Sequence, residues 1–507
     1  MPGLNNRAAA LAALATGRPA LVWQRLIADT ETPVGAAVKL IEAGRGDFLL
    51  ESVQGGEVRG RYSLLGLDPD LVFRATGAAC EVNRSWQTDR GAFSPLPGDS
   101  LTELRALVES CKIDVPQPLP SALACLVGYF GYETYGLIEA LPRPAPNALD
   151  LPDMLFVRPT LLLVFDRLSD ELFAIAPIWP GSAQAERQAE RLVEQAGERI
   201  EAALARLAAP GPAPVRATSL PEPVLQPVLP GADYAGMVRK AKDYIAAGDI
   251  FQVVLAQRFT TPFDLPALEL YRALRRINPS PFLYFLDLPG FALTGSSPEI
   301  LVRVRDGEVT IRPIAGTRPR GKTPEEDREN ELSLLADPKE RAEHLMLLDL
   351  GRNDVGRVAE AGTVRVTESY TVERYSHVMH IVSNVVGQLD QARHDALDAV
   401  FAGFPAGTVS GAPKVRACEI IAELEPETRG AYAGGVGYFS PDGSLDSCIV
   451  LRTGVVKDGT LHVQAGAGIV ADSDPAYEQR ECEAKAGALI AAAREAVRVA
   501  GEADYGQ

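Results

Sequence analysis

Two pairs of glutamates repeat one spacing. Glu340 and Glu343 follow Asp337-Pro338-Lys339, and Glu478 and Glu481 follow Asp474-Pro475 far downstream. Aspartate then proline is the pattern of a helix N-cap with proline at the first helical position, and a glutamate three residues after the cap can complete a capping box. Residues three apart share a helix face. Each helix would therefore present a pair of carboxylates, with Lys485 one turn beyond Glu481. Such sets suit Mg²⁺, which takes carboxylate oxygen, keeps several waters and completes its shell with substrate oxygens. The same spacing also serves a capping box and a solvated glutamate face, so spacing alone leaves both readings open.

A second pattern invites a different chemistry. Gly316-Thr-Arg-Pro-Arg-Gly321-Lys322-Thr323 matches the phosphate-loop consensus, and Leu345-Met-Leu-Leu-Asp349 imitates the aspartate that would hold Mg²⁺ beside it. Pro319 and Pro324 argue against it, because a phosphate loop needs free backbone N–H groups and a helix already under way. The second half would also fall inside the helix that Asp337 begins, not on a strand. Nucleotide hydrolysis is therefore a weak alternative. As an anion-binding loop the stretch remains attractive, with donors from Gly316 and Thr317 and charge from Arg318 and Arg320. A glycine loop at Gly466-Ala467-Gly468 and Arg452 at the end of a strand-like run add to that picture.

These groups must be positioned by a large chain. Its 507 residues are 46% hydrophobic and 23% charged, ordinary for a globular protein of about three domains. The net charge of −17 repels phosphate backbones and anionic lipid, so neither nucleic acid nor a membrane surface is expected as a partner. No run of 18 apolar residues exists for a spanning helix, and Arg7 to Ala15 is too weakly apolar for a signal peptide. The six cysteines form no C-x-x-C pair, which favours a reducing compartment, and the cytoplasm is expected. Seven prolines between Pro210 and Pro230 predict a stiff linker that enters neither helix nor sheet. It divides the chain into 1–209, 210–231 and 232–507. A helix is expected over Ser182 to Leu207, with Ser182 as N-cap and Leu192, Ala196, Ile200, Leu204 and Leu207 on one face, and another from Asp233 to Gly248. Strands are expected at Asp47–Glu51, Leu161–Phe165, Phe251–Phe259, Phe282–Leu286, Glu308–Ile314, Gly434–Phe439 and Cys448–Val455. The mixture predicts an α+β protein of mixed, largely antiparallel sheets with helices outside. Whether the halves share a sheet is left open by the order of elements.

In sequence order, Gly295-Ser-Ser-Pro-Glu299, Pro313-Ile-Ala-Gly-Thr-Arg-Pro-Arg-Gly321, Glu340-Arg-Ala-Glu-His344, Asp349-Leu-Gly-Arg-Asn-Asp354, His380 and Phe404-Pro-Ala-Gly-Thr-Val-Ser-Gly-Ala-Pro-Lys414 are followed by Arg452-Thr453, Gly466-Ala-Gly468 and Glu478 to Lys485. Together they resemble the family of large, chorismate-binding subunits of anthranilate synthase, over nearly the whole chain. The resemblance implies the chorismate-utilising fold, with orthogonally packed β-sheets flanked by helices, a regulatory region at 1–209 and a catalytic region at 232–507. It implies a lyase that turns chorismate and ammonia into anthranilate and pyruvate in tryptophan biosynthesis, with Mg²⁺ required. By position, Glu343 and Glu481 would hold the metal, with Glu340 and Glu478 beside them or bound through water. Gly316 and Thr317 would meet the ring carboxylate. Tyr432, Arg452, Gly466, Ala467 and Gly468 would hold the enolpyruvyl carboxylate, with Thr408 and Lys485 also at the substrate. Glu299 is the expected general acid, with His380 near it.

Two positions discriminate between relatives. Water-using isochorismate and salicylate synthases resemble one another in a lysine where this chain has Gln252, and 4-amino-4-deoxychorismate synthases carry a lysine where it has Ala315. Both positions point to ammonia at ring carbon 2; another chorismate-using synthase is the runner-up. The five histidines and six cysteines offer no glutaminase cluster, and no further domain is expected after residue 507, so a separate glutamine amidotransferase subunit is expected. Leu50, Glu51 and Ser52, with Pro281, Phe282 and Leu283 across the linker, resemble a feedback site for L-tryptophan.

Overall fold

The structure, a computed structural model, describes residues 3–52, 61–120, 123–141, 145–180, 186–217, 220–375 and 378–502. Two sheets of twelve strands each form its framework, and every named strand pairing is antiparallel. In the first sheet, Phe48–Glu51 lies against Phe282–Leu288, with Leu50 opposite Tyr284. In the second, Leu126–Phe130 lies against Gly435–Phe439. Residues before and after the proline-rich stretch therefore share both sheets. Their joint core includes Phe130 against Phe156 at 4.9 Å and against Phe401 at 5.5 Å. Each such edge-on aromatic pair adds about 0.5–1.5 kcal/mol beyond the area it buries.

The expected helices form for the expected reasons. Asp337 caps Pro338–Gly356 by accepting from the amides of Lys339 and Glu340, and Asp474 caps Pro475–Gly501 by accepting from Tyr477. Gly248 ends Gly231–Ala247 at φ 85°, a left-handed turn that costs glycine little. The helix before the linker spans Glu186–Ala208 and buries Ala189, Val193, Ala196, Ile200, Ala203 and Leu207, while Leu192 and Leu204 flank that stripe, partly buried. Ser182 lies outside the described residues. Arg7–Ala15 is a helix that buries Ala10 and Leu14 in the core.

Three expectations are corrected. The proline-rich stretch does enter a sheet: Gln226–Pro227 pairs with Thr260 and Phe259 at the sheet edge, where proline's missing N–H faces outward at no cost. Glu308–Ile314 is broken after Ile311, and Ile314–Pro319 is a strand of its own. Cys448–Val455 is not one strand. Leu445–Ile449 belongs to the second sheet and Thr453–Lys457 to the first, and the chain crosses between them at Val450 to Arg452, with Arg452 at φ 48°. All six cysteines are free and buried. Among the described residues no helix is long and apolar enough to cross a membrane.

Candidate active site

The site begins where strands change sheets. Phe291–Ser297 lies in the first sheet and Ile300–Arg305 in the second, so the chain crosses at Pro298-Glu299. The crossing at Val450 to Arg452 runs alongside, tied by Ile449 N–H to Glu299 O at 3.0 Å and by Ser296 N–H to Arg452 O at 3.2 Å. Residue 295 is glycine because the Tyr284 ring lies on it, so that a Cβ would stand 2.1 Å from a ring carbon. Two sheet-to-sheet crossings thus run alongside each other, one carrying Glu299 and the other Arg452.

Glu299 is buried, and the Thr408 hydroxyl stands 3.1 Å from both of its carboxyl oxygens. Burial raises its pKa to about 8, and the Thr408 hydrogen bond opposes the rise. The carboxyl is therefore protonated at neutral pH, as a general acid must be. Thr408 sits on the short turn Gly407–Val409, so the structure brings it to the acid.

Arg452 is mostly buried, desolvation lowers its pKa, and among the described residues it has no carboxylate partner. A desolvated guanidinium without an anion is a ready carboxylate site. His380, on strand Val378–Gln388, places Nδ1 2.9 Å from Gly316 O and 3.1 Å from Thr317 Oγ1. A carbonyl only accepts, so Nδ1 carries the proton and the neutral ring offers a lone pair at Nε2. Burial and the Arg452 charge lower its pKa. The ring also packs edge-on against Tyr375, at 5.4 Å between centroids. Tyr375 carries no motif signal, so only the fold reveals it.

Gly466, Ala467 and Gly468 are not a loop. They lie within strand Thr460–Ile469, and Ala467 points into the core. Thr453–Lys457 pairs only as far as Val463, so beyond that residue one edge of the strand has no strand partner among the described residues. The Tyr432 hydroxyl meets the Gly466 amide there, and Lys485 Nζ donates to Gly466 O at 2.9 Å. A strand edge carrying a tyrosine hydroxyl and a lysine suits a carboxylate contact.

The glutamates of the two helices do converge. Burial raises the pKa of Glu343, and so do its neighbours Glu340 and Glu481, while the Gln252 side chain hydrogen-bonds it. Glu478 is buried, bonds Ser473 and feels Glu481. Lys339 acts electrostatically on both Glu343 and Glu478, a neighbour that the D-P-K-E motif contained and the spacing argument passed over. Glu340 does not complete a capping box; it is 3.1 Å from Arg318, and Glu481 is 2.6 Å from Lys485. Among the described residues no three acidic, histidine or cysteine groups are arranged to hold a metal ion by themselves. Carboxylates that raise one another's proton affinity across two helices fit a hard cation that takes one or two of them and completes its shell elsewhere.

The anion loop is corrected. Ile314–Pro319 is a strand, Thr323 caps helix Pro324–Ala336, Arg318 pairs with Asp337 and Glu340, and Arg320 pairs with Asp327. Both arginines are spent within the protein. Gly316, at φ 68°, approaches Glu340 so closely that a Cβ would stand 3.0 Å from its Oε2. A phosphate loop has no place in this geometry, and Leu345 to Asp349 lies within a helix.

A separate cavity of about 410 Å³ opens between the two sheets. Leu50, Glu51, Ser52, Pro281, Phe282 and Leu283 all line it, opposite Arg303, Arg305 and Asp446. Glu51 contributes only backbone, because its side chain is turned away to Arg167 at 2.6 Å, Arg275 at 2.7 Å and Tyr271 at 2.6 Å.

Residues 48–491 match the family model of the chorismate binding enzymes. The chain is 53% identical over 481 residues to anthranilate synthase component 1 of Cereibacter sphaeroides, covering 95% of each. The crystal structure of anthranilate synthase component I from Streptococcus pneumoniae superposes with a TM-score of 0.75 at 34% identity, covering 92% of this chain and 99% of that one. The menaquinone-specific isochorismate synthase of Escherichia coli, at 20% identity and a TM-score of 0.71, shares the fold. The motifs in the sequence, the acid at the sheet crossing and these likenesses agree that the chain belongs to the chorismate-binding enzyme family, among the anthranilate synthase large subunits.

Proposed function

We propose that the protein converts chorismate and ammonia to anthranilate and pyruvate, in the cytoplasm, for tryptophan biosynthesis. The observation that carries this reading is Glu299, a carboxyl kept protonated to about pH 8 by burial, on a sheet crossing that runs alongside that of Arg452, which has no carboxylate partner among the described residues. Arg452 and the strand edge at Gly466 to Gly468, with Tyr432 and Lys485 on it, hold the enolpyruvyl carboxylate, and Gly316 and Thr317 face the ring carboxylate. Glu299 gives its proton to the hydroxyl leaving carbon 4 as the ring double bond shifts and ammonia adds at carbon 2. Loss of the carbon 2 proton and cleavage of the carbon 3–oxygen bond then release pyruvate and leave the aromatic ring. Glu343 and Glu481, with Glu340 and Glu478 beside them, would hold Mg²⁺, which supplies electron withdrawal at the ring carboxylate.

Ammonia is a better nucleophile than water and needs less base assistance, in keeping with Gln252 where water-using relatives resemble one another in a lysine. Ala315 is a buried strand residue with no nucleophile to offer, which disfavours 4-amino-4-deoxychorismate formation. A separate amidotransferase subunit supplies ammonia from glutamine, and L-tryptophan occupies the cavity between the sheets. The test is anthranilate fluorescence with chorismate and Mg²⁺. The purified chain should turn over with ammonium salts and not with glutamine; glutamine-dependent turnover by the chain alone would refute the need for a partner, and no anthranilate with ammonium would refute the activity.

A further inference from the structure

Arg429 is not itself among the residues assigned to the substrate, yet it is buried at 2% exposure where three parts of the site meet. Its guanidinium donates to Val409 O and Val254 O, each at 2.7 Å, and to both oxygens of Glu425, at 2.9 and 2.6 Å. Val409 follows Thr408, the partner of Glu299. Val254 lies on the strand of Gln252, which bonds Glu343. Glu425 returns to that strand by accepting from Ala256 N–H at 2.8 Å. The guanidinium also stands over the rings of Tyr132 and Tyr432, at 4.6 and 5.6 Å from their centroids. The Glu133 carboxylate fixes the loop itself by accepting from the amides of Arg429, at 2.7 Å, and Gly430, at 2.9 Å.

We infer that Arg429 is a positioning residue for the acid step: by holding Val409 O and Val254 O on one rigid fork it keeps the Thr408 hydroxyl on Glu299. The inference rests on Glu299 being the general acid. A guanidinium suits the task because its donors are planar and diverge, so one group can fix two backbone segments and a carboxylate together. Lysine could still neutralise Glu425 but could not hold both carbonyls in the same planes.

A merely structural arginine would lower activity without moving a titration. Apart from burial, the Thr408 hydroxyl is what acts on the Glu299 carboxyl, and no charged side chain among the described residues does so. Thr408 favours the ionised form, so losing its donor must raise the acid's pKa and carry the alkaline limb of kcat/KM to higher pH. The experiment compares that limb, with chorismate, ammonium and Mg²⁺, in the parent chain, Thr408→Val, Arg429→Lys and the double variant. The expected result is an upward shift for Thr408→Val, a shift of the same sign for Arg429→Lys, and a double variant no different from Thr408→Val alone. An unmoved limb in Arg429→Lys, or effects that add, overturns the positioning role and leaves the acid assignment intact. An unmoved limb in Thr408→Val overturns the acid assignment and the positioning role with it. If Arg429→Lys does not fold, Arg429→Met with Glu425→Gln removes both buried charges together and takes its place. Failure of both to fold shows a folding residue instead and also overturns the inference.

Discussion

Glu299 is an acid by virtue of what surrounds it. Its carboxyl has a hydroxyl partner and, among the described residues, no cation acting on it, so desolvation alone sets the direction and lifts its pKa from an ordinary 4.5 to about 8. With Glu299 as the proposed general acid, kcat/KM should hold through neutral pH and fall as the pH rises through about 8. Glu299→Gln keeps the shape, cannot give up a proton, and should cut kcat by about 10²–10⁴-fold while abolishing that limb. A pH profile read by anthranilate fluorescence checks both; near-normal turnover with the limb intact would remove Glu299 from the mechanism. Arg452 shows the same logic with the opposite sign, a cation whose pKa burial lowers and which has no carboxylate partner among the described residues.

The elements that matter most are two helices aimed at one volume. Each begins with an aspartate cap worth about 1 kcal/mol. Each then sets a glutamate in its first turn, where the positive end of the helix dipole favours an ionised carboxylate. Arg318 and Lys485 balance part of the acid cluster, and Glu343 is left with burial and two carboxylate neighbours raising its pKa. Glu343→Gln or Glu481→Gln should therefore raise the Mg²⁺ concentration for half-maximal activity by roughly tenfold or more. Glu483→Gln, an exposed neighbour on the same C-terminal helix, should leave it unchanged. A Mg²⁺ titration of each variant reads the outcome, and equal responses from all three would take the metal away from this cluster.

On the scale of the molecule, both sheets run through both halves, and residues from before and after the proline-rich stretch line the cavity between them. Leu50 to Ser52 and Pro281 to Leu283 face Arg303, Arg305 and Asp446 across it. Asp446 belongs to the strand whose last residue, Ile449, bonds Glu299. A ligand that binds one arrangement of the sheets better than another would shift the acid crossing with it, and coupling of that kind is reciprocal. Ser52→Phe should fill the cavity, keep activity with ammonium and abolish inhibition by L-tryptophan. Unchanged inhibition, measured by the same fluorescence with and without tryptophan, would place the effector elsewhere.

Much was legible before the fold. Asp-Pro caps, glutamates three apart and glycine stops are local signals, since a helix draws most of its instructions from neighbours within a turn; that is why both acidic helices and the glycine stop of Gly231–Ala247 follow from the chain alone, whereas the start of that helix, expected at Asp233, lies at Gly231 with no side-chain cap. Sheets draw theirs from partners far away. The run from Cys448 to Val455 reads as one strand because its side chains alternate identically whether or not it changes sheets, and only the partners on either side of Arg452 separate the two pieces. For the same reason Gly466 to Gly468 pass for a loop until the Gln252 strand is laid beside them. The destinations of Arg318, Arg320 and Arg429 were equally hidden, because a charge names no partner until distant segments bring one within reach. Residue types determined which chemistry the chain could perform; long-range antiparallel pairing decided which of those residues meet.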